Sequence, residues 1–386
     1  MPNKNVQALI HETFLEMAQA LESGHMGERP KIALTGLGSE LGEENTLQGA
    51  MLAAKQGVDV VYIGTLQAEN LSCLPVHSED EARQLMEKLL LNGDISGAVT
   101  MHYPFPIGVA TVGRAVIPAN GREMFIATTT GTASVDRLQA MVLGAIYGII
   151  AAKACGCEDP SLGILNIDGA RQTEIILKKL IEQGYPVKLA SSKRSDGGCI
   201  MRGNDILAGT PDVMVTDSLT GNLVIKMLSS FASGGEYESL GYGYGPGICE
   251  QYDQLVLIVS RASGASVIAG ALRYGAALAE NDYKATAARE FSLANKAGLK
   301  DLLENCLSYK KSTATRKPAT APATEVVTED IAGIDVMDLE SAVELLWEKN
   351  IYAQSGMGCT GPIILVSQHN LQQATDALTK SGYLSS

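Results

Sequence analysis

The chain has 386 residues, of which 46% are hydrophobic, 19% charged and 5% aromatic. This suits a soluble α/β protein of two or three folding units, at roughly 150 residues per domain, and excludes a disordered, collagen-like or coiled-coil chain. A formal net charge of −13 would repel a phosphate backbone, so no nucleic acid partner is expected. Seven scattered cysteines, an odd number, and no secretory apolar segment at the start point to a reducing, cytoplasmic compartment. No apolar run reaches the roughly 18 residues that span a bilayer. The longest, over 141–154, contains Lys153 and reads as a buried helix, so no membrane partner is expected either.

Apolar residues at helical spacing (Val6, Leu9, Ile10, Phe14, Met17, Leu21) before Gly24 predict an amphipathic opening helix over 5–24. Strand, glycine turn and helix then alternate. Strands are expected at 31–35 and 58–63, with a helix through Ala53 between them, and 109–116 with 123–128 form a hairpin. Strand 163–167 precedes a helix around 174–183, followed by strands at 187–190, 213–216 and 255–259 and a helix over 262–279. Such alternation predicts a mostly parallel sheet with helices on both faces. Composition changes abruptly after Ser308: residues 309–330 are Lys, Ser, Thr, Ala and Pro with almost no large apolar side chain, and read as a flexible linker. Beyond it, the stripe Leu339, Val343, Leu346, a strand at 363–366 and a helix at 371–380 make a small unit over 331–386, too small for a large core of its own. The body is thus 1–308, divided between two lobes.

Several segments have the composition of an anion site at a strand end. Gly36-Leu37-Gly38-Ser39-Glu40-Leu41-Gly42 opens a helix after a strand, but its spacing is not the dinucleotide fingerprint. No carboxylate follows at Gly64 and Thr65, and no Gly-Lys-Ser/Thr marks a P-loop, so nicotinamide and NTPase chemistry are disfavoured; the plainer reading is a tight turn that needs glycine. Thr128-Thr129-Thr130-Gly131-Thr132 offers hydroxyls and a permissive glycine before a long helix, either for a phosphate or as an N-cap cluster. In the run from Asp217 through Gly221, Asn222 and Lys226, a strand delivers an acid and an amide to a helix start, with Lys226 four residues after Asn222 on the same face. Ser260-Arg261-Ala262-Ser263-Gly264 sets an arginine fork among hydroxyls at a helix start, a phosphate or oxyanion clamp unless the arginine pairs structurally with an acid of a neighbouring strand. Cys359, in Gly-Met-Gly-Cys-Thr-Gly-Pro ahead of a strand, is uncrowded, and adjacent amides could stabilise its thiolate; read alone, such a cysteine is more often a packing residue than a nucleophile. Cys155-Gly156-Cys157 lacks a second pair or a nearby His, and the five histidines have no metal spacing, so no metal is expected; His369 is a weak candidate for a base near Cys359.

DVMVTDSLTGNLVIK and SRASGAS resemble the phosphate acyltransferases, both the PlsX type and phosphate acetyltransferase, and GLGSELGEENTLQGA and GILNIDGA extend the PlsX-like match over most of 31–280. The resemblance implies an isocitrate-dehydrogenase-like, PlsX-like body. PlsX-type enzymes lack the appendage with Cys359. With it, the whole chain resembles the smaller (alpha, D) subunits of component C of glycine, sarcosine and betaine reductase complexes. That family implies an acetyl thioester carried on Cys359, received from the carboxymethylated selenocysteine of selenoprotein A and released to phosphate as acetyl phosphate. It implies the larger beta subunit of component C, selenoprotein A and phosphate as partners, and no cofactor. Asp217, Asn222, Lys226, Ser260 and Arg261 become phosphate-handling residues by carry-over from the acyltransferases, with Ser263, Thr130 and Gly131 beside them. A stand-alone acyltransferase using coenzyme A or acyl carrier protein, and a non-catalytic scaffold subunit, are the alternatives.

Overall fold

The computed structural model describes residues 29–193, 197–304, 319–334, 338–358 and 361–384, together with 11, 13, 14 and 17, which are helical. Most of the opening helix expected over 5–24, residues 309–318 of the expected linker, and Cys359 lie outside the described residues.

The body is one twelve-stranded mixed sheet in the order β3-β2-β1-β4-β12-β11-β5-β6-β10-β7-β8, with β9 also on β7. Its first half comprises β1 (Lys31–Thr35), β2 (Asp59–Gly64), β3 (Ser72–Pro75), β4 (Gly97–Thr100) and β12 (Val256–Ile258), all parallel. The other half is parallel as well: β6 (Glu123–Gly131), β10 (Val213–Val215), β7 (Ser161–Leu165), β8 (Lys188–Leu189) and β9 (Ile200–Met201). Between them, β5 (Ala110–Val116) and β11 (Gly245–Ile248) run antiparallel, β5 forming the expected hairpin with β6. Strands such as β2 and β10 are buried at successive positions. Because neighbouring side chains point to opposite faces, both faces of the sheet are covered, which is why these strands read as unbroken apolar runs.

The covering helices of the body are α1 (Glu43–Lys55), α2 (Glu79–Asn92), α3 (Arg137–Ala154), α4 (Ala170–Glu182), α5 (Gly203–Ala208), α6 (Ser218–Ser229), α7 (Ala265–Glu280) and α8 (Tyr283–Lys296). α3 is long and apolar enough to cross a membrane by composition alone. Here it is a core helix, with Met141, Ile146, Ile149 and Ile150 buried against β6, β10 and α8. Its start is set by Asp136, whose carboxylate accepts from the Gln139 amide at 3.0 Å.

The C-terminal unit comprises β13 (Glu329–Ala332), α9 (Leu339–Glu348), β14 (Ala353–Gly358), β15 (Gly361–Val366) and α10 (Leu371–Lys380), with an antiparallel sheet ordered β13-β15-β14. Ile331, Val343, Leu346, Ile364, Val366 and Leu378 form a core separate from that of the body. The composition-based linker boundary at Asp330 shifts. Glu329 and Asp330 pair with Val366 and Leu365 as the start of β13, and upstream Glu325 accepts from Ser367 Oγ at 2.7 Å and Asn370 Nδ2 at 3.1 Å. An edge strand held by backbone hydrogen bonds needs few apolar side chains, so composition does not reveal it.

Candidate functional site

β6 and β10 are parallel neighbours, Val213 beside Phe125 and Val215 beside Ala127, so the segments that leave them emerge at the same edge of the sheet. One leads into α3 and the other into α6. Between them lies a cleft of about 450 Å³, lined among others by Thr128, Gly131, Thr132, Arg137, Asp217 and Ser218. Crevices at the carboxyl ends of parallel strands, with helix N-termini on their walls, suit anionic groups.

Asp217 caps α6, its carboxylate accepting from the Thr220 amide at 2.8 Å and the Thr220 hydroxyl at 3.1 Å. The same carboxylate receives the Arg137 guanidinium at 2.9 Å, while Asp168 lies 3.7 Å from its other nitrogen. Arg137 is therefore held at the cleft by two acids and remains about half exposed. One turn into α6, Gly221 presses against β6. A Cβ there would collide with the Thr128 carbonyl, so only glycine lets the helix approach closely enough for Asn222 Nδ2 to donate to the Thr129 carbonyl at 3.2 Å. Thr130 is held by the neighbouring strand: its hydroxyl and amide meet the Thr111 hydroxyl, each at 2.9 Å. Gly131 has φ 71°, and a Cβ there would meet the Val109 carbonyl at 2.5 Å.

The Lys226 and Ser260 to Ser263 motifs, distant in sequence, converge on Glu238, which is 1% exposed. Its carboxylate accepts from Tyr244 OH at 2.8 Å and Ser263 Oγ at 3.0 Å, and Lys226 Nζ lies 4.0 Å away. Ser263 Oγ in turn accepts from the Ser260 amide at 3.0 Å, and Ser260 Oγ from the Ala262 amide at 3.2 Å. Burial, reinforced by the neighbouring Glu238 charge, pushes the Tyr244 phenol far up, so it serves as a neutral donor.

Arg261 takes the structural option. Its guanidinium donates to the Glu79 carboxylate at 2.9 Å and to the Gly38 carbonyl at 3.1 Å, tying the Gly36 to Gly42 turn to the first residue of α2. The acid sits on a helix rather than on a strand, and Arg261 does not line the cleft. In the first turn of α1, Glu43 occupies the amides that follow β2, accepting from Thr65 N at 2.6 Å and Leu66 N at 3.1 Å, and also from Tyr62 OH at 3.0 Å. Burial alone would push this carboxyl up. The hydrogen bonds from Thr65, Leu66 and Tyr62 outweigh it and hold the group below its ordinary value. An anion arriving at that turn would find its donors taken.

β14 and β15 pair up to Gly358 opposite Gly361; Cys359 and Thr360 stand between these ends in sequence. His369 lies 3.4 Å from Glu325. Sequence reasoning did not single out Arg137, Glu238 or Glu79. Arg137 alone left a signal, as a cation just beyond the threonine cluster.

Known proteins resemble this chain at several levels. A family model described as a fatty acid synthesis protein matches residues 30–365. The alpha subunit of the glycine/sarcosine/betaine reductase complex component C from Peptoclostridium acidaminophilum is 51% identical over 98% of this chain and 99% of its own. This chain belongs to the family of component C alpha subunits. A phosphate acyltransferase from Thermus thermophilus is 28% identical over 51% of this component C-type chain and 70% of its own, so the wider family is acyltransferase-like. A branched-chain phosphotransacylase structure from Enterococcus faecalis aligns with 64% of the subunit and 99% of its own chain at 14% identity and a TM-score of 0.47.

Proposed function

We propose that this subunit carries an acetyl group as a thioester on Cys359 and passes it to phosphate, within a complex that includes the larger beta subunit of component C and selenoprotein A. The observation that supports this most is the 51% identity to a component C alpha subunit along 98% of the chain, which takes in the Gly-x-Gly-Cys-Thr-Gly-Pro appendage as well as the acyltransferase-like body. A phosphate oxygen attacks the thioester carbonyl carbon, the tetrahedral intermediate collapses, the C–S bond breaks with its electron pair leaving on sulfur as the Cys359 thiolate, and acetyl phosphate departs. The thioester conserves the driving force of the preceding reductive step.

The cleft between α3 and α6 is the proposed phosphate site. Arg137, oriented by Asp217, and the N-terminal amides of the two helices would offset charge on phosphate and on the intermediate. Asn222, Thr130 and Gly131 support the cleft wall, while Lys226 and the Ser260 to Ser263 turn, gathered on Glu238, and Arg261, paired with Glu79, join only by turning toward phosphate. A linker over 309–324 would span about 20–25 Å on average by random-coil scaling, enough for a thiol that visits a partner and then the cleft. The location is proposed as cytoplasmic.

The test is the intact mass of the purified chain after incubation with acetyl phosphate, beside Cys359→Ala. An acetyl increment labile to hydroxylamine and absent from the variant supports thioester exchange with phosphate on this subunit. The engagement of Arg261 by Glu79 favours a second reading, in which the body scaffolds a catalytic partner; an increment that appears only after the beta subunit is added would establish that reading instead.

A further inference from the structure

A separate cavity of about 610 Å³ shares no lining residue with the cleft between α3 and α6, and its size falls within the roughly 300–1,000 Å³ of small-molecule sites. One wall is α8, through two neighbouring rows at a spacing of four, Tyr283 to Asn295 and Lys284 to Lys296. The cavity is therefore a groove that follows the helix axis for roughly 18 Å. The facing wall is the segment between β11 and β12, with Tyr252 and Asp253. Two buried polar atoms on α8 have no hydrogen-bond partner among the described residues: the Tyr283 hydroxyl, on a residue 3% exposed, and Asn295 Oδ1. Asn295 Nδ2 donates to Glu250 at 2.8 Å. A carboxylate only accepts, so this contact fixes the amide and leaves Oδ1 as the unused acceptor. Glu250 is itself balanced by Lys300 at 3.8 Å. Buried donors and acceptors are nearly always paired, and an orphan costs stability unless a ligand or water supplies its partner.

We propose that this groove binds a nucleoside phosphate, with the base at the Asn295 end and the phosphate at the Lys284 end. Each part of such a ligand meets a group of matching chemistry. Asn295 Oδ1 requires an N–H, which an exocyclic amine or a ring imide of a base supplies. Phe291, one turn before Asn295, and Tyr252 on the facing wall offer aromatic surface for the base. Asp253, Tyr283 and Lys284 stand together at the other end, where they also border a neighbouring cavity. A carboxylate there accepts from the paired hydroxyls of a ribose. Burial, reinforced by Cys249 and Asp253, pushes the Tyr283 phenol far up, so it stays a neutral donor. Lys284 is exposed and forms no ion pair with a described residue, which leaves its ammonium for a phosphate. An alkyl chain would leave both orphaned atoms unpaired, and an inorganic anion alone would reach only one end of the groove. This inference does not rest on the acyl-transfer reading.

Isothermal titration calorimetry of the full chain with AMP, ADP, GMP and CMP tests it, with the free nucleosides and inorganic phosphate as separate titrants. At least one nucleotide should bind at one site per chain. Its affinity should fall at least tenfold in Asn295→Leu and in Lys284→Glu, whereas the matching nucleoside should lose affinity in Asn295→Leu alone. Because Asn295→Leu also removes the Glu250 contact and can impair folding, Ala288→Trp provides the second variant. Ala288 is an exposed residue of the same wall, so the indole fills the groove and should abolish binding with an unchanged melting curve. The absence of binding by every nucleotide at millimolar concentration overturns the proposal and assigns the two orphaned atoms to water. Binding that survives Ala288→Trp overturns it as well, and its loss in Arg137→Ala would then place the nucleotide in the cleft.

Discussion

Removal of the Glu238 carboxylate by Glu238→Ala is the sharpest probe of how the Lys226 and Ser260 to Ser263 motifs are held together. The group is 1% exposed and accepts from two buried hydroxyls, at 2.8 Å from Tyr244 and 3.0 Å from Ser263. Hydrogen bonds to a charged group contribute about 1.5–3 kcal/mol each. Lys226 is half exposed and 4.0 Å away, so it adds less than about 1 kcal/mol. The expected loss is therefore about 3–5 kcal/mol, a large share of the 5–15 kcal/mol that holds a typical domain together. Tyr244→Phe removes one of the same bonds, so the two substitutions should be coupled by about 1–2 kcal/mol in a double-mutant cycle. Urea unfolding followed by far-UV circular dichroism reads the body, while the sole tryptophan, Trp347, whose indole donates to the Ala353 carbonyl at 2.9 Å, reports the C-terminal unit by fluorescence. The dichroism transition should move and the fluorescence transition should stay. A loss below about 1 kcal/mol, or single-variant effects that add to within about 0.4 kcal/mol, would refute the role given to this carboxylate.

Gly221→Ala should destabilise the body by about 1–3 kcal/mol through overpacking against Thr128 and lower acetyl phosphate turnover by displacing Asn222; an unchanged melt and rate would show that α6 does not need that approach. Arg261→Ala should change stability by less than about 1 kcal/mol, because its Glu79 pair is half exposed, so a large rise in the phosphate KM with an unaltered melt would mark Arg261 as a phosphate ligand. Glu43 has a folded-state pKa below 4.5; its contribution is present above that value and is lost as the pH falls through the lower one. Glu43→Gln should accordingly destabilise the protein at neutral pH and flatten its acid-unfolding profile below about pH 4.5, as read by melting curves between pH 3 and 7. Burial pushes the Cys155 and Cys199 thiols up to about 12, so peptide mapping after iodoacetamide at neutral pH should find both unmodified while Cys359 is alkylated.

The elements legible in the sequence are those whose cause is local. β1, β2, β10 and β12 are short apolar runs, α4 and α10 carry their own periodicity, and α3 is an apolar run too long for a strand. β11 and β14 were not legible, because Gly-Pro-Gly-Ile and Ala-Gln-Ser-Gly-Met-Gly read as turns. β11 is a strand because β12 and β5 supply its hydrogen bonds on both sides and its four residues are all buried; β14 is one because β15 pairs with it along its length. In the site, Asp217 and Asn222 were recognisable since a cap and its helix lie within a few residues. Glu238 was not, because nothing near it in sequence distinguishes it from a solvated acid.

By itself the sequence determined the α/β class and the motifs that mark the chain as a component C alpha subunit, since apolar periodicity, glycine placement and residue runs are properties of neighbours along the chain. Only the tertiary structure decided which charges face one another: Arg261 with Glu79, Arg137 with Asp217, and Lys226 and Ser263 on a single buried carboxylate. Ion pairs and buried hydrogen bonds depend on separations of a few ångströms between residues up to 182 positions apart, and that proximity is set by the order in which strands join the sheet.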